Sequence, residues 1–251
     1  MNALEMKGVS VAYQKEMVLK DVTVDIPKGK LVGIIGPNGA GKSTMIKSIL
    51  NIVPRVAGSI DILGESYEVN RNKIGYVPQK EEVDWDFPTD VLDVVMMGRY
   101  RHQKKWRKAS SEDRDIAMDC LKKVSMDTFA KRQINQLSGG QQQRVFLARA
   151  LAQDSPIYLM DEPFTGVDAA TEKAIIKLLS SMKAEGKTVI VVHHDLQTVQ
   201  EYFDSVILLN QTVQFSGPTS EVFTLDNIQQ TYGGALQVFQ NEDNQPSVIQ
   251  S

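Results

Sequence analysis

One cysteine, Cys120, is all that 251 residues offer, so no disulfide can form within the chain and stability has to come from packing, as suits a reducing compartment. Long apolar runs are missing as well. A spanning helix needs about 20 apolar residues in succession, and the longest stretches here, around Leu31–Ile35, Val189–Val192 and Val206–Leu209, are strand-sized. The opening MNALEMKGVS carries Glu5 and lacks an apolar core ending in small residues, so it does not read as a secretion signal. Charge of one sign is not in excess either. Lys and Arg number 28 against 31 Asp and Glu, a formal net charge of −3, which excludes strong whole-molecule attraction to nucleic acid or an anionic bilayer. Three histidines and one cysteine supply no spaced metal-ligand set. No repeat of 20–50 residues is evident. With 42% hydrophobic and 24% charged residues, the chain has the composition of a globular protein of one large domain or two small ones. It is expected in the cytosol, or at a membrane only through a partner.

What is present is an alternation of strands and helices. Residues 4–13 and 17–26 alternate, the second with Val18, Val22, Val24 and Ile26 on apolar positions, and both read as strands. After the turn Pro27-Lys28-Gly29 comes LVGII, a run suited to a strand buried on both faces, then a glycine-rich loop, then MIKSILNIV with helical spacing. SPIYLMDE at 155–162 and KTVIVVHHD at 187–195 repeat the design, each a short apolar strand with polar residues at its C-terminal end. Between them Ile175, Leu178, Leu179 and Met182 give residues 170–184 an apolar helical face. The pattern predicts an α/β fold with a parallel sheet, whose ligands bind at the carboxyl ends of the strands. Residues 83–150, with helical patterns over Asp113–Val124 and 141–152, read as a helical insertion. Within it Arg99, Arg101, Lys104, Lys105, Arg107 and Lys108 form a basic run, read as a solvated surface because SSEDRD follows. The polar tail after Gly234, residues 235–251, reads as loose chain.

Three motifs carry chemistry. GPNGAGKS at 36–43 fits the phosphate-binding loop pattern, with a strand before it and a helix after it. Gly36, Pro37, Asn38, Gly39, Ala40 and Gly41 would wrap backbone N–H groups around a nucleotide's phosphates at a positive helix end. Lys42 would reach the β/γ-phosphates, Ser43 would ligate Mg²⁺, and the Thr44 hydroxyl is placed for another phosphate oxygen. Asp161 and Glu162 end an apolar strand, Asp161 to hold Mg²⁺ and Glu162 to position and polarise the attacking water. LSGGQ at 137–141 is a second anion-binding helix start, with Ser138 giving a hydroxyl and Gly139 and Gly140 leaving backbone N–H groups uncovered before Gln141. A glycine turn with a serine N-cap is its structural alternative.

GPNGAGKST, Gln79 in YVPQ, LSGGQQQR, IYLMDEP and His194 in VHHD, in this order, resemble the nucleotide-binding subunit of an ABC transporter over residues 4–232. The resemblance implies a P-loop NTPase fold with an N-terminal antiparallel sheet and a helical subdomain at about 83–150, within a nucleotide-binding domain of residues 1–234. It implies ATP and Mg²⁺ as ligands and ATP hydrolysis as the reaction. By position Tyr13 matches the residue stacked on adenine, and Gln79 the loop glutamine that senses Mg²⁺ and the γ-phosphate and contacts the transport partner. Asp168 matches the loop crossing the dimer interface, and His194 the switch histidine on the γ-phosphate. The plain alternatives are an edge-strand tyrosine, a solvated glutamine and an N-cap aspartate. His193 is expected to pack elsewhere, since only His194 directly precedes the aspartate.

In that family the LSGGQ helix completes the site of a second subunit. With one copy of each motif, the expectation is a homodimer sandwiching two ATP, docked on an integral membrane permease at the cytoplasmic side of the membrane, with no nucleic-acid partner. KEEVDWDFPTDVLDVVMMGRY at 80–100 and GPTSEVFTLDNIQQTYGG at 217–234 look like the manganese/zinc/iron branch of metal importers. This implies manganese as cargo, ahead of zinc or iron, delivered through the permease by an extracellular metal-binding lipoprotein. Siderophore or cobalamin importers and ABC exporters stay open as alternatives. A chromosome or repair ATPase would need long heptad arms, for which there is no room. A GTPase would want Asn-Lys-x-Asp, and Asn72-Lys73-Ile74-Gly75 fails at its last position.

Overall fold

The computed structural model describes residues 2–85, 87–102 and 110–233, and the backbone of residues 237–240 and 246–249. Its strands are β1 (Asn2–Tyr13), β2 (Glu16–Pro27), β3 (Leu31–Ile35), β4 (Ala57–Ile62), β5 (Glu65–Ser66), β6 (Ile74–Val77), β7 (Ile157–Asp161), β8 (Thr188–Val192), β9 (Ser205–Asn210) and β10 (Thr212–Pro218). The helices are α1 (Lys42–Ile49), α2 (Tyr67–Asn70), α3 (Val91–Met97), α4 (Ser111–Lys123), α5 (Gly139–Ala152), α6 (Ala169–Ala184), α7 (Val199–Tyr202), α8 (Thr219–Val222) and α9 (Leu225–Tyr232). A mainly parallel sheet, in the order β10-β9-β3-β8-β7-β6, carries the core, and an antiparallel sheet, β2-β1-β4-β5, covers one side. This is the α/β architecture expected from the alternating pattern.

Every residue of β3, β7 and β8 is buried, as continuous apolar runs require. Side chains alternate across the sheet, so Leu31 and Ile35 join one apolar cluster while Val32 and Ile34 join another. The second cluster holds Met45, Ile46 and Ile49 of α1 together with Leu4, Met6, Val24 and Ile26 of the antiparallel sheet. The first holds Ile175, Leu179 and Met182 of α6 and the apolar faces of α3, α4 and α5. Each such side chain, fully buried, contributes about 1.5–3 kcal/mol, set against the entropy of ordering the chain.

Two local readings need correction. In β2 it is Leu19, not Val18, that is fully buried, because the register slips between the pairs Val9–Val22 and Val11–Leu19. Asp21 sits in that slip at φ 48, and its N–H is taken by the Ser10 hydroxyl at 3.0 Å. The tail read as loose contains two further strands, β11 (Gln237–Gln240) and β12 (Pro246–Ile249), paired antiparallel. The helical segment lies between the end of β6 at Val77 and the start of β7 at Ile157, close to the expected 83–150. Its helix α4 begins at a capping box, Ser110 with Asp113, and Arg99 pairs with Asp113 at 3.1 Å.

Candidate functional site

Neighbouring parallel strands end at one edge, and that edge collects most of the predicted residues. Taken across β3, β8, β7 and β6, the strand ends carry the loop from Gly36, then His193 and His194, then Asp161 and Glu162, then Gln79. With a strand spacing of about 4.8 Å, the row spans about 15 Å, a length suited to a nucleotide's phosphates and the groups that act on them.

The loop between β3 and α1 turns back on itself through Gly41, whose φ of 92 is a conformation that side chains disfavour. The Gly41 carbonyl then accepts the first helical bond from Met45 N–H at 2.8 Å. Lys42 follows at once, and its Nζ donates to the loop's own carbonyls, Gly36 at 2.7 Å and Pro37 at 2.9 Å. Burial holds its pKa below the usual lysine value, opposed by the nearby Glu162 and Asp161 carboxylates. Thr44 is buried at the start of the helix.

Ser43 donates its hydroxyl to Asp161 Oδ1 at 3.0 Å, joining the loop to the end of β7. Asp161 is fully buried and its Oδ2 has no hydrogen-bond partner. Burial, with Glu162 beside it, pushes its pKa up to about 6 against the pull of the Ser43 hydrogen bond. A buried carboxylate oxygen left open beside a serine hydroxyl is an oxygen-donor pair that suits a divalent cation such as Mg²⁺. Glu162 lies at φ 50, unusual for a non-glycine residue, and Thr165 Oγ1 donates to its Oε2 at 3.0 Å. Gln79 is half-buried just past β6, and its carbonyl accepts from Glu82 N–H at 3.1 Å.

The two histidines separate as expected. His194 is exposed, on a cavity of about 420 Å³ that Phe164, Glu172, His193 and Asp195 also line. His193 is buried against Phe164 and Phe203, each with ring centroids 5.3 Å away, and its Nε2 lies 2.8 Å from Thr198 Oγ1. Burial drives its pKa down to about 4, so it is neutral at physiological pH. Tyr13 ends β1 with 43% of its surface exposed.

Two predicted elements lie off the strand edge. Ser138 caps α5 in a reciprocal box, accepting from Gln141 N–H at 3.3 Å and donating its own N–H to Gln141 Oε1 at 2.9 Å. With Gly139 and Gly140 it belongs to the helical segment, where α5 packs on α3, α4 and β6. Asp168 is exposed and caps α6 through Thr171 N–H at 2.7 Å, so the structural alternative given above describes its observed bond. The basic run is partly structural. Arg99 donates to Ala152 O at 3.0 Å, setting a cation at the C-terminus of α5, while Arg101 donates to Ser155 Oγ at 2.7 Å and to Asn72 O, and His102 meets Gln153 O at 2.9 Å. Lys104, Lys105, Arg107 and Lys108 lie outside the described residues.

The segment after Gln79, quoted above for its likeness to metal importers and the side on which a permease helix is expected to dock, is held by contacts that the sequence does not announce. Glu82 pairs with Lys47 of α1, and the Trp85 indole N–H donates to Lys80 O at 2.8 Å. Trp85, Phe87, Thr89, Val94, Ile134 and Phe146 line an apolar cavity of about 180 Å³. Two aromatics in an otherwise acidic loop were the available signal. Among the described residues no helix is long and apolar enough to cross a membrane.

Residues 19–165 match the ABC transporter family. The chain is 58% identical to the manganese transport system ATP-binding protein MntB of Bacillus subtilis (strain 168), over 93% of each chain. It is 50% identical to the zinc transport system ATP-binding protein TroB of Treponema pallidum (strain Nichols), over 93% of this chain and 88% of that one. Among solved structures, an inward-facing metal-chelate type ABC transporter matches with a TM-score of 0.81 at 28% identity, covering 99% of this chain and 97% of that one. A dimeric ATP-binding cassette bound to ADP and Pi matches with a TM-score of 0.77 at 32% identity, covering 86% and 98%.

Proposed function

The chain belongs to the ABC transporter family, and from that premise we propose that it is the ATP-binding subunit of an importer, coupling ATP hydrolysis to passage of a transition metal ion, manganese, through a separate membrane permease. It binds ATP and hydrolyses it. The observation that carries the chemical part is the Ser43–Asp161 pair beside Lys42, with Asp161 Oδ2 open. Cargo rests on the manganese and zinc relatives.

When ATP enters, Lys42 exchanges the Gly36 and Pro37 carbonyls for the β/γ-phosphates, and the amides of the loop surround the chain of oxygens. Ser43, Asp161 and Gln79 would hold Mg²⁺, which would supply positive charge against the phosphates. Glu162 takes a proton from water as the water oxygen bonds to the γ-phosphorus and the bond to the ADP oxygen breaks. The Thr165 hydroxyl aims that carboxylate. His194 meets the γ-phosphate from β8, and Tyr13 stacks on adenine.

Ser138, Gly139, Gly140 and Gln141 act on the nucleotide of a second, identical copy, with Asp168 at the seam between the two. ATP thereby favours the closed pair and hydrolysis releases it, a shift of population through contacts present in one state only. The permease inserts a helix into the apolar cavity lined by Trp85 and Phe87, which holds the subunit at the cytoplasmic face, and an extracellular lipoprotein presents the metal to the permease.

The test is reconstitution of the subunit with its permease and binding protein in vesicles, following radiolabelled manganese and phosphate release together. The proposal expects uptake that requires ATP and a competent Glu162. ATP turnover with no accumulation of manganese, zinc or iron would remove the cargo assignment.

A further inference from the structure

We propose that Lys80 is a further phosphate-contacting residue: its ammonium joins Ser138 and Gly140 on the γ-phosphate of the ATP held by the other copy. The proposal rests on the reading that ATP joins two copies of the chain.

Gln79 and Lys80 are adjacent in sequence but serve different places. Gln79 stays at the end of β6, whereas the Lys80 side chain runs to α5 and sets its ammonium against Gly139, so close that any Cβ there would collide with it. The cation thus lies beside position 139, between the two residues in sequence that are assigned to the phosphate. Two carboxylates follow Lys80, yet Glu82 is turned away to Lys47. Lys183 pairs with Asp204 and Lys187 with Asp154, while among the described residues the Lys80 ammonium, like those of several surface lysines, has no carboxylate and no hydrogen-bond acceptor.

The electrostatics of that position are unfavourable without a ligand. The first turn of α5 already carries positive partial charge from its free N–H groups, and a full positive charge beside it is repelled. A dianionic phosphate oxygen set removes the conflict, since it satisfies the amides and the ammonium together. Lys80 is also fastened to α5 rather than left to wander. Its carbonyl accepts from the Trp85 indole at 2.8 Å, and the Trp85 ring packs on Phe146 of α5 at 4.8 Å between centroids. The Lys80 backbone is therefore tied to α5, and the same tryptophan forms part of the apolar cavity. Filling of that cavity would bear directly on the position of Lys80.

The experiment uses the full chain carrying Glu162→Gln, titrated with Mg·ATP while light scattering reports association of two copies. Binding of a fluorescent ATP analogue is measured in parallel at dilutions where the protein is a single copy. Lys80→Gln is expected to raise the ATP concentration for half-association by at least about tenfold, the effect of losing one charge-assisted contact. Single-copy affinity for the analogue should stay within about twofold, and Lys80→Arg, which keeps the charge, should shift half-association by no more than about threefold. An unchanged midpoint in Lys80→Gln, an equal fall in single-copy affinity, or the same loss in Lys80→Arg would each overturn the proposal. If the Glu162→Gln parent never associates, the two-copy reading itself fails and Lys80 falls with it.

Discussion

Replacing Asp161 by Asn should make the nucleotide-free protein more stable while destroying its response to Mg·ATP. Asn keeps the shape and can still accept the Ser43 hydroxyl, but it carries no charge to desolvate. In the folded chain the Asp161 pKa stands at about 6, raised by burial. The unfolded value is about 3.9, so ionising the buried group above pH 6 costs two pH units at about 1.4 kcal/mol each, or about 3 kcal/mol. The sign follows from the folded state binding the proton more tightly. The wild-type chain has its full stability from this group below pH 4 and loses it as pH rises through 6. The difference between Asn and Asp should therefore open between pH 4 and 6 and stay level above 7. For a domain of this size it corresponds to a rise in Tm on the order of 5–10 °C at pH 7.5. Calorimetry of both proteins from pH 5 to 8, with and without Mg·ATP, reads the effect. An Asn variant less stable than wild type at pH 7.5, or one that Mg·ATP still stabilises fully, would refute the assignment of Asp161 as a buried carboxylate kept for a cation.

Lys42→Ala removes the charge facing the β/γ-phosphates and should weaken ATP binding on the order of a hundredfold, read by equilibrium binding of a labelled nucleotide. His194→Ala should lower kcat by about 10²–10³ while leaving ATP affinity within a few-fold, because it removes a donor aimed at charge that develops during transfer. His193→Phe tests the other histidine. With a pKa near 4 the wild-type ring is neutral at working pH, so the pH profile of hydrolysis between 6 and 8 should keep its shape, and a lost inflection would assign the titration to His193 instead. Phe87→Asp puts a charge into the apolar cavity and should abolish transport in vesicles while phosphate release by the free subunit continues; equal loss of both would remove that surface as the permease contact.

The strand-end chemistry was legible because each element carries its own local signature. LVGII and IYLM can only be buried on both faces, so the polar residues that follow them must emerge at the sheet edge, and Lys42, Ser43, Asp161 and Glu162 do meet there. The separation of His193 from His194 was expected from the family's pattern, and the aromatic surroundings of His193 give its burial a physical cause. Contacts that depend on three-dimensional approach were not legible. Nothing in KEEVDWDF announces that Glu82 reaches back to Lys47 while Lys80 reaches forward to Gly139, since neither pair shares a helix face or a strand register. The inward turn of Leu19 in place of Val18 was hidden for a similar reason, because an alternating pattern does not reveal a left-handed residue that resets it. The roles of Ser138 and Asp168 are the least visible in one chain. Each makes a sound helix cap by itself, and only a second copy would give either a nucleotide or an interface to meet.

The most direct trial of a shared site is the mass of the Glu162→Gln protein in solution, by multi-angle light scattering, with and without saturating Mg·ATP. The account predicts one chain without nucleotide and two with it, returning to one when Lys42 is also replaced by Ala. A single chain at saturation, with ATP demonstrably bound, would contradict it.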